Sequence, residues 1–250
     1  MNLRDFYENN YERSVSVAGL PRDDDFMYGL VLGQIRAFLK KGMQVLDLGC
    51  NNGNLSLYMA MAGCDVTGID LAQNAVNTAT KSAAHWNLSN VQFMQMDFLK
   101  DWQDPQVLDF VLCNHVIEHI PDDERMLKKI HFATKPGGRL LLMAPTIYSS
   151  LYRTYKFILG KFSWDEEVGH LRRYDWKNFT EMVEKSGFEV EKVVFLDSLL
   201  REWFILFKPL RWTCRFWDRR FIRNIFNSMD KFLARYLFPA TICIHARRPL

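Results

Sequence analysis

Three groups of residues in this 250-residue chain have types and spacing suited to chemistry. The first is the turn Asp47-Leu48-Gly49-Cys50-Asn51-Asn52-Gly53-Asn54, entered from the apolar run Val45-Leu46. Glycines at such a turn let backbone N–H groups approach a ligand, because no Cβ stands in the way. The second is the cluster His115, Glu118 and His119, joined from further along by His170 in Gly169-His170-Leu171-Arg172-Arg173-Tyr174. Histidine can take a proton near neutral pH. The third is the pair Arg172-Arg173, which can clamp a phosphate or carboxylate in bidentate fashion.

These residues need a scaffold, and the hydrophobic pattern supplies one. Strands are expected at Gln44–Leu48, Asp65–Asp70, Val91–Met96, Leu108–Asn114, Arg139–Ala144, Glu189–Leu196 and Thr241–Ala246. Helices are expected over 3–13, 26–40 (with Asp25 as its N-cap), from the Gly-rich turn to Gly63, and over 72–86, 121–134, 147–160 and 175–186. Lys135-Pro136-Gly137-Gly138 reads as a tight turn feeding the fifth strand. Alternating strands and helices imply a doubly wound, mostly parallel α/β sheet. Ligands of such sheets sit beyond the carboxyl ends of the strands. Asp47 with Gly49, then Asp70, Asp97 and Asn114, all fall at those ends.

Four blocks in order make the pattern specific: Val45-Leu46-Asp47-Leu48-Gly49-Cys50, Val66-Thr67-Gly68-Ile69-Asp70, Phe110-Val111-Leu112-Cys113-Asn114-His115-Val116-Ile117-Glu118-His119, and Lys135-Pro136-Gly137-Gly138. The chain resembles a class I S-adenosylmethionine-dependent methyltransferase of the small-molecule type. The resemblance covers about 40–197 well. It implies a seven-stranded sheet with an antiparallel last strand, and one domain over 1–250. That domain would hold a cofactor-binding core over 40–146, an acceptor-side lid over 147–187 and a helical insertion over 198–238. It also implies roles. Gly49 and Gly53 would lie in the turn under the methionine part of S-adenosylmethionine, with Asp47 positioning that turn and the ligand's amino group. Asn51 stands where the family often has glycine. Asp70 would accept both ribose hydroxyls, with Leu71 next to it. Asp97 would bind the adenine amine with Phe98 flanking the ring, and Asn114 or His115 would line the methionine side. A nicotinamide cofactor is the chief competitor, but its G-x-G-x-x-G spacing is absent because Asn51 and Asn54 replace two of the glycines.

The reaction so implied is methyl transfer, with O-methylation preferred. An acceptor hydroxyl must lose a proton, and His119, His115 and His170 are the candidate bases. The block around His115 is similar to that of ubiquinone-pathway O-methyltransferases, in which a Glu stands at the place of His115 and a Glu/Glu/His set is linked to divalent metal. His115, Glu118 and His119 offer a mixed N/O set, against the reading that they start a helix; no metal is expected. Arg172, Arg173 and Tyr174 are expected on the acceptor side. The alternative is that the arginines pair with Asp165, Glu166 or Glu167. The acceptor is expected to be small or amphipathic: lipid-linked, quinone-like or anionic. A non-catalytic cofactor-binding scaffold is the alternative from another class. An RNA methyltransferase is disfavoured, since the fourth strand runs into Cys113-Asn114-His115-Val116 in place of an Asn-Pro-Pro-Tyr motif.

Charge is unevenly spread. Residues 201–250 hold eleven Lys/Arg and three acids, +8, which leaves −5 for the first 200. Within Leu199 to Pro239, Trp203, Phe204, Phe207, Trp212, Phe216, Trp217, Phe221, Phe226, Phe232 and Tyr236 interleave with the basic residues. A basic, aromatic amphipathic helix suits an anionic lipid interface; it also suits a cap packed on the sheet. The five cysteines lack C-x-x-C spacing and read as free thiols of a reducing compartment. The polar N-terminal residues do not read as a signal peptide. A cytoplasmic protein is expected, at most peripheral to the inner face of a membrane.

Overall fold

Aliphatic runs closed by Gly, Asp or Asn build a seven-stranded sheet in the computed structural model, which describes residues 17–22, 25, 28–161, 163–206, 220–237 and 239–250. The helix expected over 3–13 lies outside the described residues. In chain order the elements are α1 (Gly29–Ile35), β1 (Gln44–Leu48), α2 (Asn54–Met61), β2 (Asp65–Asp70), α3 (Gln73–His85), β3 (Val91–Gln95) and α4 (Phe98–Asp101). Next come β4 (Leu108–Asn114), a 3₁₀ turn (Ile117–His119), α5 (Asp123–Ala133), β5 (Thr134–Pro145), α6 (Ser150–Leu159), α7 (Ser163–Val168), α8 (Trp176–Lys185) and β6 (Glu189–Leu196). The last are α9 (Leu199–Leu206), α10 (Arg220–Tyr236) and β7 (Thr241–Arg247).

The strand order is β3-β2-β1-β4-β5-β7-β6. β1 to β5 pair in parallel, and β7 runs antiparallel to both β5 and β6. The order reverses between β1 and β4, so the crevice between their carboxyl ends is the topological switch point where ligands of open sheets bind. Both sheet faces are covered. On one, Leu46, Val111, Leu140 and Leu142 pack with Met126, Leu127, Ile130 and Phe179 from α5 and α8. On the other, Val45, Phe110, Leu112 and Leu141 pack with Leu32 and Ile35 of α1 and Met59 of α2. This double burial explains why β4 and β5 read as near-continuous apolar runs.

Two expectations change in detail. The helix expected over 26–40 is shorter: Asp25 does accept the Tyr28 N–H at 3.2 Å, but a tighter Phe38 N–H to Ile35 C=O bond at 3.0 Å closes the helix early. The turn expected at Lys135–Gly138 belongs to β5 instead. Gly137 has a left-handed φ of 77° and donates to Arg248 C=O, while Gly138 C=O accepts from the Arg248 N–H. A Cβ at Gly138 would lie 2.9 Å from the Leu108 carbonyl oxygen. The two glycines therefore serve as an irregularity that keeps the strand paired, and the β4–β5 register shifts beside it between Leu108 and Phe110.

The segment between β6 and β7 is helical where it is described. α9 is locked to α10 through Arg201, whose side chain is buried and bonds Asp230 Oδ2 at 3.0 Å and Asn227 Oδ1 at 2.8 Å. Asp230 also accepts from the Ser198 N–H and hydroxyl. The expected interface aromatics Trp203, Phe204, Phe207, Trp212, Phe216, Trp217 and Phe221 lie outside the residues whose side chains are described. Cys50, Cys64, Cys113 and Cys243 are buried free thiols. No helix among the described residues is long and apolar enough to cross a membrane.

Candidate functional site

At the switch point lies a cavity of about 310 Å³. Its wall takes in Asp47, Gly49, Asn51, Asp70, Leu71, Asp97, Phe98, Asn114, His115 and His119, drawn from the ends of four neighbouring strands.

The β1–α2 turn is held from below. Gly49 and Cys50 both donate their N–H to Ile69 C=O, at 2.8 and 2.9 Å. Gly49 has φ 73°, and a Cβ there would lie 2.3 Å from Val116 Cγ2, so only glycine fits. Asn51 takes a left-handed φ of 49°, and its own side-chain oxygen accepts the Asn52 N–H at 2.6 Å. Asn tolerates this region better than most residues, which is how it stands in for glycine. Gly53 is not in the cavity wall. It N-caps α2 at φ 83°, and a Cβ there would meet Phe93 and Ala79 below 3.0 Å, so it serves the packing of the turn.

Asp47 is buried beneath this turn and accepts the Ser56 hydroxyl at 2.5 Å. Burial pushes its carboxyl up to about 6, against the pull of the Ser56 bond, and the charge of Asp70 adds to the rise. Asp70 braces the same turn: Oδ2 accepts the Asn51 N–H and Oδ1 the Ala72 N–H, both at 2.9 Å. Asp70 thereby joins the turn to the cavity wall that it also lines. Asp97 caps α4 through the Leu99 N–H at 3.1 Å and pairs with Lys100 at 2.8 Å. Phe98 is buried, its ring 5.7 Å from that of Trp102. Asn114 Oδ1 is buried and has no hydrogen-bond partner. An orphaned acceptor in a cavity wall costs free energy unless a ligand donor meets it.

The histidines converge on one carboxylate. Glu118 is fully buried; its Oε1 lies 3.1 Å from His115 Nδ1 and 3.8 Å from His170 Nε2, and its Oε2 has no partner. His115 sits at φ 55°, its N–H bonded to Met143 C=O and its Nε2 3.4 Å from Thr241 Oγ1. Desolvation would lower its pKa, but the bond to Glu118 and the charge of Glu118 outweigh that and raise it. Burial alone would raise Glu118; its bond to His115 and the neighbouring histidines bring it below the usual carboxylate value. Both shifts favour a protonated His115 against an ionised Glu118. His119 lines the cavity and donates from Nδ1 to Gly169 C=O at 3.0 Å. Burial lowers its pKa despite the attraction of Glu118. His170 is outside the cavity wall. Its ring lies 4.9 Å from that of His119, and its Nδ1 meets Asp165 at 2.8 Å.

Arg172, Arg173 and Tyr174 are also outside the cavity wall, and each is joined to an acid. Arg173 makes a bidentate pair with Asp165, and Arg172 pairs with Asp123 at 2.6 Å. The Tyr174 hydroxyl donates to Asp123 at 2.9 Å while its ring stacks on Phe179. The Leu171 N–H to Glu118 C=O bond and the Asp123 contacts of Arg172 and Tyr174 fasten this loop to the 3₁₀ turn that carries Glu118 and His119 and to the helix after it, while Arg173–Asp165 closes the loop on itself. Sequence reasoning put Asp165 among possible partners of these arginines and did not single out Asp123, which starts a helix 49 residues before Arg172. It also did not find Tyr28 of the loop before α1, or Met96 and Ile120, which lie in the cavity wall with other apolar residues. Their side chains fit an ordinary core pattern and gave no signal. Among the described residues, Glu118, His119 and His170 form the one group of three metal-capable side chains, with one atom from each lying within 4.8 Å of the others. The grouping differs from the His115, Glu118 and His119 set considered from sequence, because His115 turns its Nδ1 onto Glu118 and His170 arrives from the lid.

The comparisons with known proteins agree with this architecture. The methyltransferase domain family matches residues 28–193. A ubiquinone biosynthesis O-methyltransferase of Coxiella burnetii is 31% identical over 146 residues, 58% of this chain and 59% of that protein. The chain thus aligns with little more than half the length of that relative. Among solved structures, phosphoethanolamine N-methyltransferase 2 of Haemonchus contortus, in complex with S-adenosyl-L-methionine, superposes with a TM-score of 0.65 at 19% identity over 99% of this chain and 57% of that one. The [4+2]-cyclase SpnF superposes with a TM-score of 0.62 at 22% identity, over 90% and 80% of the two chains. These likenesses are to the fold. With the strand-end acids and an Asp47–Asn54 turn open to a ligand, the match over two thirds of the sequence decides the identity: the chain belongs to the methyltransferase domain family, whose cofactor is S-adenosylmethionine.

Proposed function

We propose that this chain transfers a methyl group from S-adenosylmethionine to a hydroxyl of a small, amphipathic acceptor, with His119 as the base. The observation that carries the reading is the tautomer of His119. A carbonyl oxygen only accepts, so the bond to Gly169 fixes the proton on Nδ1 and leaves the lone pair on Nε2. Its lowered pKa keeps the ring neutral and able to accept a proton at pH 7.

The residues of the wall fit the cofactor. The Asn114 acceptor lacks a donor, and the Gly49 turn and the Asp70 carboxylate both line the cavity. S-Adenosylmethionine, when bound, supplies a methyl group already activated by its sulfonium leaving group. The chain's own work is alignment and proton handling. Asp47, Asp70, Asp97 and Asn114 would orient the cofactor, and alignment of this kind is worth several kcal/mol. His119 Nε2 would take the acceptor's proton as the acceptor oxygen bonds to the methyl carbon. Glu118, neutralised by His115, would hold the 3₁₀ turn and so the ring of His119. Arg172, Arg173 and Tyr174 would act on the acceptor side by fastening the lid.

The apolar portion of the wall, with Met96, Val116, Ile120 and Met126, supports an amphipathic acceptor such as a quinone-like or lipid-linked phenol. The ubiquinone-pathway relatives point the same way. A peripheral membrane contact through 199–238 belongs with that acceptor class. The test is a radiolabelled-methyl assay on fractionated lipid, polar-metabolite and RNA extracts. Label in a base-stable lipid-soluble ether is expected. Label confined to RNA, or tight cofactor binding with no label in any fraction, would overturn the reading, the latter in favour of a scaffold.

A further inference from the structure

We infer that the outward face of α10 docks on an anionic lipid surface. Ile225, Met229, Phe232 and Tyr236 recur at steps of 4, 3 and 4 along this helix, one stripe of a 3.6-residue period. They are 45%, 52%, 65% and 63% exposed. The opposite stripe, Phe226, Asp230 and Ala234, is buried against the body of the protein. A helix of a soluble domain normally turns its apolar stripe inward. Here the outer stripe is apolar as well and is left to solvent, which marks a surface for a partner.

Charge identifies that partner. α10 carries Arg220, Arg223, Lys231 and Arg235 against a single acid, Asp230. Asp230 points inward and is bonded to Arg201 and Ser198, so it does not offset the exposed Lys231 and Arg235. Arg235 lies with its guanidinium 5.6 Å from the centre of the Tyr236 ring, and Phe232 and Tyr236 have ring centres 5.1 Å apart. Aromatic and basic side chains interleaved on one face suit the headgroup–acyl boundary, where rings enter the apolar layer and cations meet lipid phosphates. A second copy of the chain is a poorer occupant, because it would bring two basic helices face to face.

The docking face gives the amphipathic-acceptor reading a location, and rests on it for its purpose. Its test is independent: co-sedimentation of the full chain with vesicles, without cofactor or acceptor. Vesicles of phosphatidylcholine with phosphatidylglycerol should capture the chain, and phosphatidylcholine alone should capture it weakly. The double variant Met229→Ser/Phe232→Ser should lower partition at least about tenfold. Lys231→Glu/Arg235→Glu should weaken it about fivefold or more for each charge, on anionic vesicles only. Unchanged cofactor affinity and thermal transition in these variants establish that they fold. The inference is overturned if the wild-type chain ignores anionic vesicles, or if the double variant binds them as well as wild type. It is equally overturned if capture is lost only by serine substitution of Phe157 and Leu159 at the exposed end of α6, or if sedimentation reveals a dimer that the stripe variant dissolves. Failure of the methylation assay with intact vesicle capture would leave the docking face standing and remove only the acceptor.

Discussion

His119 Nδ1 lies 3.0 Å from the carbonyl oxygen of Gly169, joining the 3₁₀ turn after β4 to a lid loop 50 residues away. The bond does two things at once. It fixes the ring's tautomer, and it ties the Gly169 loop to the turn that carries His119. His119→Asn should therefore lower kcat by about 100- to 10,000-fold, the usual worth of a general base. Cofactor affinity, which the proposed reading assigns to the strand-end acids, should change little. The pH profile carries the sharper signature. The basic form of His119 is lost only as pH falls through a value below 6.5, since its pKa is lowered. Wild-type activity should accordingly hold through neutrality and fall along an acid limb, and that limb should vanish in the residual activity of His119→Asn. An unaltered limb would move the base elsewhere.

Asp47 is a different case, a carboxylate kept at a cost in stability. Its pKa is about 6 in the fold against 3.8 for the ordinary residue. A raised folded pKa gives stability that is fully present below the unfolded value and is lost as pH rises through the folded one. The ligand-free chain should lose up to about 3 kcal/mol between roughly pH 4 and pH 6.5 through this group alone. Asp47→Asn should flatten that part of the stability curve and melt no lower than wild type at pH 7.5. The same substitution should weaken cofactor binding by tenfold or more, because the charge below the turn is gone. Thermal melts across pH, paired with calorimetric titration of the cofactor, separate the two effects. A variant that binds normally would remove Asp47 from the site's design.

Glu118 looks like a metal ligand by composition, and its electrostatics oppose that use. Its Oε1 is already paired with His115, whose raised pKa marks it as the cationic partner. A divalent cation would have to enter beside that charge. Activity should survive exhaustive treatment with EDTA, and added magnesium or zinc should not raise it. The ion pair should also leave a stability signature. Glu118, lowered, contributes above its unfolded value and loses the contribution as pH falls through its folded pKa. His115, raised, contributes below its unfolded value and loses it as pH rises through its folded pKa. Glu118→Gln should therefore be most destabilising between the two folded values, and the deficit should narrow on either side in melts from pH 3 to 9. Loss of activity with EDTA, restored by metal, would reverse the assignment.

Much of this site is legible in the residues themselves. The strands ending at Asp70 and Asn114 are mostly apolar and mostly buried, with Thr67 and Asp109 as the partly exposed exceptions, so their ends show as a return to polar residues. The acid at a strand's end is thus visible as the first polar residue after a run. What sequence hides is convergence across distance. Nothing local says that His170 of the lid meets Glu118, that Thr241 of the last strand faces His115, or that Arg172 meets Asp123. Those pairs depend on how the loop after α7 folds back and on where the last strand enters the sheet, and neither leaves a period in the sequence. The Lys135–Gly138 segment shows the opposite limit. Its composition is that of a turn, yet the pairing of the preceding Thr134 with Leu108 and of Gly137 and Gly138 with Arg248 holds it in the sheet. In α10, the buried Phe226 and the exposed Phe232 are the same residue type, and only packing tells them apart.

Gly49 offers the most direct test that the β1–α2 turn is built for a ligand and for nothing larger than hydrogen at that position. A methyl there would meet Val116 Cγ2 at 2.3 Å, and the φ of 73° strains any L side chain. Gly49→Ala should cost about 1–3 kcal/mol of stability from the backbone conformation alone, with the clash in addition. Since the turn is pinned by two bonds to Ile69 C=O, it would yield by swinging its N–H groups and Val116 into the cavity. Cofactor affinity should fall by at least about tenfold, roughly 1.4 kcal/mol. Val116→Ala in the same chain removes the clashing methyl but leaves the φ strain. The double variant should recover part of the stability and part of the affinity, whereas Val116→Ala alone should bind near normally. Full recovery would mean that the clash is the whole effect. No recovery would place it in the backbone, and an unaffected Gly49→Ala would show that the turn does not touch the ligand at all.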